Sequence, residues 1–267
     1  MKKIATTIDL SASSRFAFEH AVRIAKKTDA QLMIFHAYDT HEIREGVKKG
    51  SIRSALDHFV EVNSKQYGID PSKLSVHILE GDLEYEIEVF CKNENPELLV
   101  MGTDGASGIK KFVGGSNTVR VMDKVEVPML IVPTGFEHRE TQVIMHCSDL
   151  KEVPNDDALD ILKEMAMAYN AKVRIAHVEE GGERLHYEEV LEKKRETHIL
   201  EPEVEVSFKR IVSTDIQSGI KHYIKAKGDV DMLSMVYREH SLFEYLLQED
   251  HTHQMAFDTS VPLLVLR

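Results

Sequence analysis

Four residues in one stretch carry chemistry by type and spacing. Gly102, Gly105, Gly115 and Ser116 lie within LLVMGTDGASGIKKFVGGS at Leu98–Ser116 and read G-x2-G-x9-G-S. Glycine lets a backbone approach closely and turn with positive φ, which leaves N–H groups free to point at anionic oxygens. Ser116 adds a hydroxyl and an N-cap for a helix expected over Asn117–Lys124, whose dipole favours an anion at that end. Lys110 and Lys111 bring full positive charges to the same segment. The chemistry such a segment can do is to wrap phosphates.

A phosphate loop needs a rigid support, and the apolar run ending at Gly102 reads as a buried parallel strand. The rest of the first half repeats that pattern. Lys2–Asp9 is a first strand ending in an acid, followed by Ser11, Ser13 and Ser14 as N-cap candidates for a helix to about Lys27. Phe16, Ala17, Ala21, Ile24 and Ala25 form its expected inner side. Gln31–Ala37 is the second strand and Val47–Lys65 a helix carrying Ile52, Leu56, Phe59 and Val60. Ile69-Asp70-Pro71 breaks it. Leu74–Leu79 is the third strand, Gly81-Asp82 opens a helix to about Asn93, and Pro128–Val132 is the fifth strand. Strands alternating with helices imply a parallel sheet with right-handed crossovers.

After the polar stretch Thr134–Thr141 the pattern begins again. Strands are expected at Val143–Cys147, Lys172–Val178, Val204–Ile211, Asp231–Val236 and Pro262–Leu266. Helices are expected at Asp156–Tyr169, Glu183–His198, Asp215–Ala226 and in part of Leu242–Phe257. The halves also align by residue. Val127-Pro128-Met129-Leu130 answers Val261-Pro262-Leu263-Leu264, Asp29-Ala30 answers Asn170-Ala171, and Asp82 answers Asp215. The reading is a duplicated domain, residues 1–138 and 139–267. The expected class is α/β, with two tandem doubly wound five-stranded parallel-sheet domains, Rossmann-like and related by pseudo-two-fold symmetry.

The glycine spacing, the strand before it, Asp9, the VPMLIVP strand at Val127–Pro133 and the repeat size together resemble the universal stress protein family, in its ATP-binding branch. That resemblance implies a nucleotide site formed by Asp9, Ala37, Met101, Gly102, Gly105, Gly115, Ser116 and Asn117. Asp9 would accept from a ribose hydroxyl or the adenine amine, and the backbone at Ala37 would meet adenine. The competing role for Asp9 is to cap the first helix. The family often has a histidine at the position of Asp104 and a basic residue at that of Ala106, so affinity is in question more than location. Asp104 could hold Mg²⁺ beside the phosphates, although an acid there more often faces solvent. The implied function is a nucleotide-dependent sensor or adaptor in stress response, with a protein partner the sequence does not name. No GxxxxGK[ST] loop and no G-x-S-x-G setting is present, so the expectation is a binder and not an enzyme, with slow ATP hydrolysis as an alternative.

The second copy loses the motif. A shift of 134 residues places Val236, Glu239, Glu249 and Asp250 where Gly102, Gly105, Gly115 and Ser116 stand. Carboxylates there would repel phosphates. Leu242, Phe243, Tyr245, Leu246 and Leu247 read as a helix over the old crevice. The expected role of the second half is structural, pairing within the chain as a second subunit would, with a homodimer as a further option.

The remaining composition sets limits. A net charge of −12 argues against nucleic acid or an anionic membrane as the main partner. There is no apolar run of membrane-spanning length, and Met1–Lys3 leads straight into a strand, so neither a membrane anchor nor a leader is expected. Two cysteines make no disulfide framework, which points to a reducing cytoplasm. The rival reading is a nucleotide-free scaffold holding zinc or another ligand through His146, Cys147, His177, His240, His251 and His253. Their spacing fits no regular zinc pattern, and scattered surface and packing histidines are the simpler reading.

Overall fold

The computed structural model describes residues 1–38, 49–103, 117–137, 139–148, 150, 156–180, 194, 196–237 and 260–267. The chain divides into two compact units, Met1–His138 and Arg139–Arg267.

The first unit has five strands, β1 (Lys3–Thr7), β2 (Gln31–Tyr38), β3 (Leu74–Glu80), β4 (Leu98–Thr103) and β5 (Met129–Pro133). All pair in parallel, in the order β3-β2-β1-β4-β5. Among the described residues its α-helices are α1 (Ala12–Thr28), α2 (Lys49–Tyr67), α3 (Leu83–Glu94) and α4 (Asn117–Met122). The apolar runs of β4 and β5 are almost wholly buried, as strands covered on both faces must be. Helix ends are set by local chemistry. Ser11 caps α1 by accepting from the Ser14 amide, and Asp82 caps α3 by accepting from the amides of Glu84 and Tyr85. The core gathers aromatic rings: Phe18 of α1 meets Phe59 of α2 edge-on at 5.2 Å, and Phe35 of β2 meets Phe90 of α3 at 5.0 Å. Phe18, not the expected Phe16, is the buried aromatic of α1; Phe16 is half-buried.

The second unit repeats the plan. Its strands are β6 (Val143–Cys147), β7 (Lys172–Glu180), β8 (Val206–Ser213), β9 (Met232–Val236) and β10 (Leu263–Leu266). They pair in parallel in the order β8-β7-β6-β9-β10, which matches β3-β2-β1-β4-β5 element for element. Described helices are α5 (Asp156–Tyr169) and α6 (Ile216–Lys227), and residues 196–200 are also helical. Both units are therefore doubly wound α/β domains of parallel strands, as expected from the sequence.

The aligned residues do the same work in each copy. Asp29 and Asn170 both end a helix in the left-handed region, at φ 57° and 51°. The next amide closes back in both, Ala30 onto the Ala25 carbonyl at 2.9 Å and Ala171 onto that of Ala166 at 2.8 Å. Asp215 caps α6 by accepting from the Ser218 amide, as Asp82 caps α3. Boundaries differ from expectation where a helix end holds on to its successor. β8 starts at Val206 and not at Val204, because the Val204 amide is bonded to the Leu200 carbonyl. The expected helix at Leu242–Phe257, and residues 183–193 of the expected helix at Glu183–His198, lie outside the described residues.

Candidate functional site

In the first unit the chain leaves β1 to one side through β2 and β3, and leaves β4 to the other through β5. The reversal between β1 and β4 opens a crevice at the carboxyl ends of the strands, where open α/β sheets take their ligands. A cleft of about 690 Å³ lies there. That volume is within the usual range for small-molecule sites, roughly 300–1,000 Å³.

Each wall follows from a local feature. β1 is followed by Ile8, Asp9 and Leu10, all lining the cleft. Asp9 does not cap α1; that role falls to Ser11, and Asp9 instead accepts the Ser11 amide at 2.9 Å. Partial burial would push the Asp9 carboxyl up, but bonds from the Ser11 hydroxyl and amide and the Ser14 hydroxyl outweigh it and hold the carboxyl below its ordinary value. Asp9 is thus a carboxylate at neutral pH. Leu10 follows at φ 65°, a strained conformation for a branched side chain.

β2 supplies His36 and Ala37. The β1–β2 ladder runs out at Thr7 opposite Phe35, so Ala37 lies beyond it, against the cleft. His36 Nδ1 lies 2.5 Å from the Ile8 carbonyl oxygen. A carbonyl only accepts, so Nδ1 carries the hydrogen.

β4 brings Met101 and Gly102. A Cβ on Gly102 would stand 2.2 Å from the Ser13 carbonyl oxygen, so no side chain fits where β4 meets the start of α1. The Gly102 carbonyl accepts from the Thr118 hydroxyl at 3.0 Å, tying β4 to α4. Asn117, Thr118 and Arg120 of α4 and Asp82 and Glu84 of α3 complete the rim. Arg120 Nε is 2.7 Å from Glu84 Oε1, and its Nη2 donates to Asn117 Oδ1 at 2.7 Å.

Five of the residues expected to contact nucleotide therefore meet in one cleft: Asp9, Ala37, Met101, Gly102 and Asn117. Gly105, Gly115 and Ser116 lie outside the described residues, as do Asp104, Ala106, Lys110 and Lys111. Sequence reasoning missed Glu84 and Arg120. The signal was faint, because Asn117 and Arg120 are three apart on a helix whose facing partner is decided only by tertiary packing.

The second unit shows what became of the same place. The β9–β10 register sets Val236 opposite Leu266 where the first unit has Gly102 opposite Val132, one offset for both strands (236 − 102 = 266 − 132 = 134). His177 repeats His36, donating from Nδ1 to the Ser148 carbonyl at 3.1 Å, and Leu150 repeats Leu10 at φ 57°. A fully buried Glu196 reaches the end of β6, where its Oε1 accepts from the Ser148 hydroxyl at 2.6 Å. Ser148 Oγ accepts in turn from the Leu150 amide at 3.1 Å.

Of the residues considered for zinc, His146 and Cys147 are consecutive on β6, so they point to opposite faces. His146 Nδ1 is 3.2 Å from Ser234 Oγ, and burial raises the Cys147 thiol above its ordinary value, which disfavours the thiolate that metals need. Among the described residues no group of three or more His, Cys, Asp or Glu is arranged to hold a metal ion. His240, His251 and His253 lie outside them. No helix among the described residues is long and apolar enough to cross a membrane.

A doubly wound α/β unit repeated once in the chain, with a cleft at the strand-order reversal of the first copy, is the class of protein the geometry defines. The model of the universal stress protein family matches residues 1–133. A universal stress protein of Methanocaldococcus jannaschii is 30% identical over 142 residues, which cover 49% of this chain and 81% of that protein. The chain belongs to the universal stress protein family. Among solved structures, a universal stress protein from Archaeoglobus fulgidus matches with a TM-score of 0.66 at 18% identity, covering 98% of this chain and 95% of that one. A Pseudomonas aeruginosa protein described as functionally unknown matches with a TM-score of 0.63 at 13% identity, over 100% of this chain and 92% of its own. These two likenesses speak to the fold.

Proposed function

We propose that the first unit binds ATP in its cleft and that the protein works as a nucleotide-dependent sensor or adaptor, not as an enzyme. The observation that carries this reading is the convergence of Asp9, Ala37, Met101, Gly102 and Asn117 on one crevice at the strand-order reversal. Gly102 and Asn117 also bracket the glycine-rich segment, so both of its anchors stand in that crevice. Asp9, ionised and facing the cleft, would accept from ribose hydroxyls or an adenine amine. The backbone at Ala37 would meet the base, and the segment from Gly102 to Asn117 the phosphates. Gly105, Gly115 and Ser116 would contribute from within that segment. Three carboxylates line the described part of the cleft, Asp9, Asp82 and Glu84, against one guanidinium, Arg120. A polyanion placed there needs countercharge, which Mg²⁺ on the phosphates would supply. The second unit, with Val236 for Gly102 and Glu196 buried at the end of β6, would serve as a structural partner. Two buried free thiols, Cys91 and Cys147, fit residence in the cytoplasm.

The test is mass spectrometry of small molecules released from freshly purified protein, run beside a Gly115→Glu variant. ATP released from the wild type and absent from the variant is the expected result. No nucleotide from either, with no thermal shift on adding Mg-ATP, would overturn the reading. Sustained phosphate release with several turnovers would make the protein an ATPase instead.

A further inference from the structure

Glu84 and Arg120 face each other across the mouth of the cleft, one on α3 and one on α4. Both line it, and their side chains are 20% and 50% exposed. Among the described lining residues Arg120 is the one lysine or arginine, and a carboxylate already engages it. We propose that Arg120 and Glu84 form an exchange latch. The phosphates of a bound nucleotide would take Arg120 from Glu84, so Arg120 reads phosphate charge while ligand occupancy breaks the ion pair between α3 and α4. The proposal rests on the reading that nucleotide binds in this cleft.

Three features favour exchange over a passive ion pair. First, Glu84 does not depend on Arg120 for its place. It sits in the first turn of α3, where the helix dipole favours a carboxylate and Asp82 already caps the end. Second, the pair reaches solvent on both sides, and ion pairs of that kind contribute little, whereas guanidinium–phosphate contacts are charge-assisted and often bidentate. Moving Arg120 from carboxylate to phosphate is therefore downhill. Third, Asn117 Oδ1 holds Nη2 at 2.7 Å from within α4 itself, so the guanidinium keeps an anchor on its own helix when it leaves Glu84. Left in place, Glu84 competes with the ligand. It discriminates against weakly charged ligands, because only a multiply charged phosphate chain offers Arg120 a better partner.

Calorimetric titrations of the full chain with adenosine, AMP, ADP and ATP at fixed Mg²⁺ test this on the wild type, Arg120→Gln, Glu84→Gln and the double variant. Arg120→Gln should weaken ATP binding by about tenfold or more while changing adenosine by less than about twofold. Glu84→Gln should tighten ATP by about threefold or more, again sparing adenosine, because the competing anion is gone. In the double variant the gain from Glu84→Gln should vanish. Opposite signs from the two halves of one ion pair are something a merely structural role does not produce. ATP binding weakened by Glu84→Gln, or an equal loss of adenosine and ATP in Arg120→Gln, would overturn the latch. So would equal affinities in all four proteins, and that result would leave the nucleotide reading standing. A wild type that binds none of the four ligands would overturn both.

Discussion

The carboxyl ends of β1 and β6 are the same place in the two copies and are now built differently. Both carry a strand-end histidine donating to the backbone of the first strand, and both continue into a leucine held at positive φ. Beyond that frame they diverge. At β1 the neighbouring strand carries Gly102 next to its end, which lets β4 close to contact distance with the start of α1, and a cleft lies open there. At β6 the matching residue is Val236, and the fully buried carboxyl of Glu196 is bonded to Ser148. The lesson is that the strand-end backbone stays the same where the residues around it change. Strain at Leu10 and Leu150 belongs to the strand-to-helix turn common to both units, not to the ligand, since it is present where the glycines have gone.

The comparison breaks most completely if the second unit's residue is moved into the first. Gly102→Val would drive a branched side chain into the Ser13 carbonyl, where even a Cβ would stand at 2.2 Å. It should cost about 3 kcal/mol or more and abolish nucleotide binding, as read by thermal denaturation and titration. Wild-type affinity in this variant would show that close approach at Gly102 is not needed.

A smaller effect is expected at the other end. Glu196→Ala leaves a hole and strips Ser148 of a buried partner, and should cost about 2–3 kcal/mol in denaturant unfolding. Glu196→Gln, which keeps the volume and an accepting oxygen, should cost less than about 1 kcal/mol. Equal losses would mean that the charge, not the packing and hydrogen bond, holds this corner.

The leucine pair sharpens the contrast further. Glycine relieves positive φ at either position, a gain of about 1 kcal/mol. Leu150 is 1% exposed, so Leu150→Gly also loses core packing and should come out destabilised by about 2 kcal/mol. Leu10 is only half-buried, and Leu10→Gly should be neutral or slightly stabilising. Matched melting curves decide it.

The smallest effect concerns pH. The Asp9 carboxyl is depressed in the folded state, so its contribution to stability is present above its unfolded value and is lost as pH falls through the folded one. Asp9→Asn should flatten the acid limb of the melting temperature against pH below about pH 4, with little change at neutral pH. An unchanged acid limb would show that Ser11 and Ser14 do not stabilise the carboxylate.

Much of this was legible in the residues alone. The alternation of short apolar runs with capped amphipathic segments specified two parallel α/β units. Ser11 stood among three N-cap candidates and Asp82 was read with Gly81 as opening its helix, whereas Asp215, read as the first helical residue, is the cap outside it. The offset of 134 is realised in the registers of the last two strands of each unit, β4–β5 and β9–β10. Phe18 was overlooked because one position along a helix decides whether a ring faces the core.

The site divides along the same line. Gly102 stood out by the glycine spacing, while Asp9 and Asn117 were named as site residues through the family resemblance. What the chain alone determined was the scaffold, the place of the cleft, and the loss of the glycines in the second copy. Only the tertiary structure decided that Arg120 faces Glu84, that Ser13 forbids a side chain at residue 102, and that Glu196 is buried at the end of β6. Each of these joins residues far apart in the chain, and periodicity and spacing report only on neighbours a few positions away.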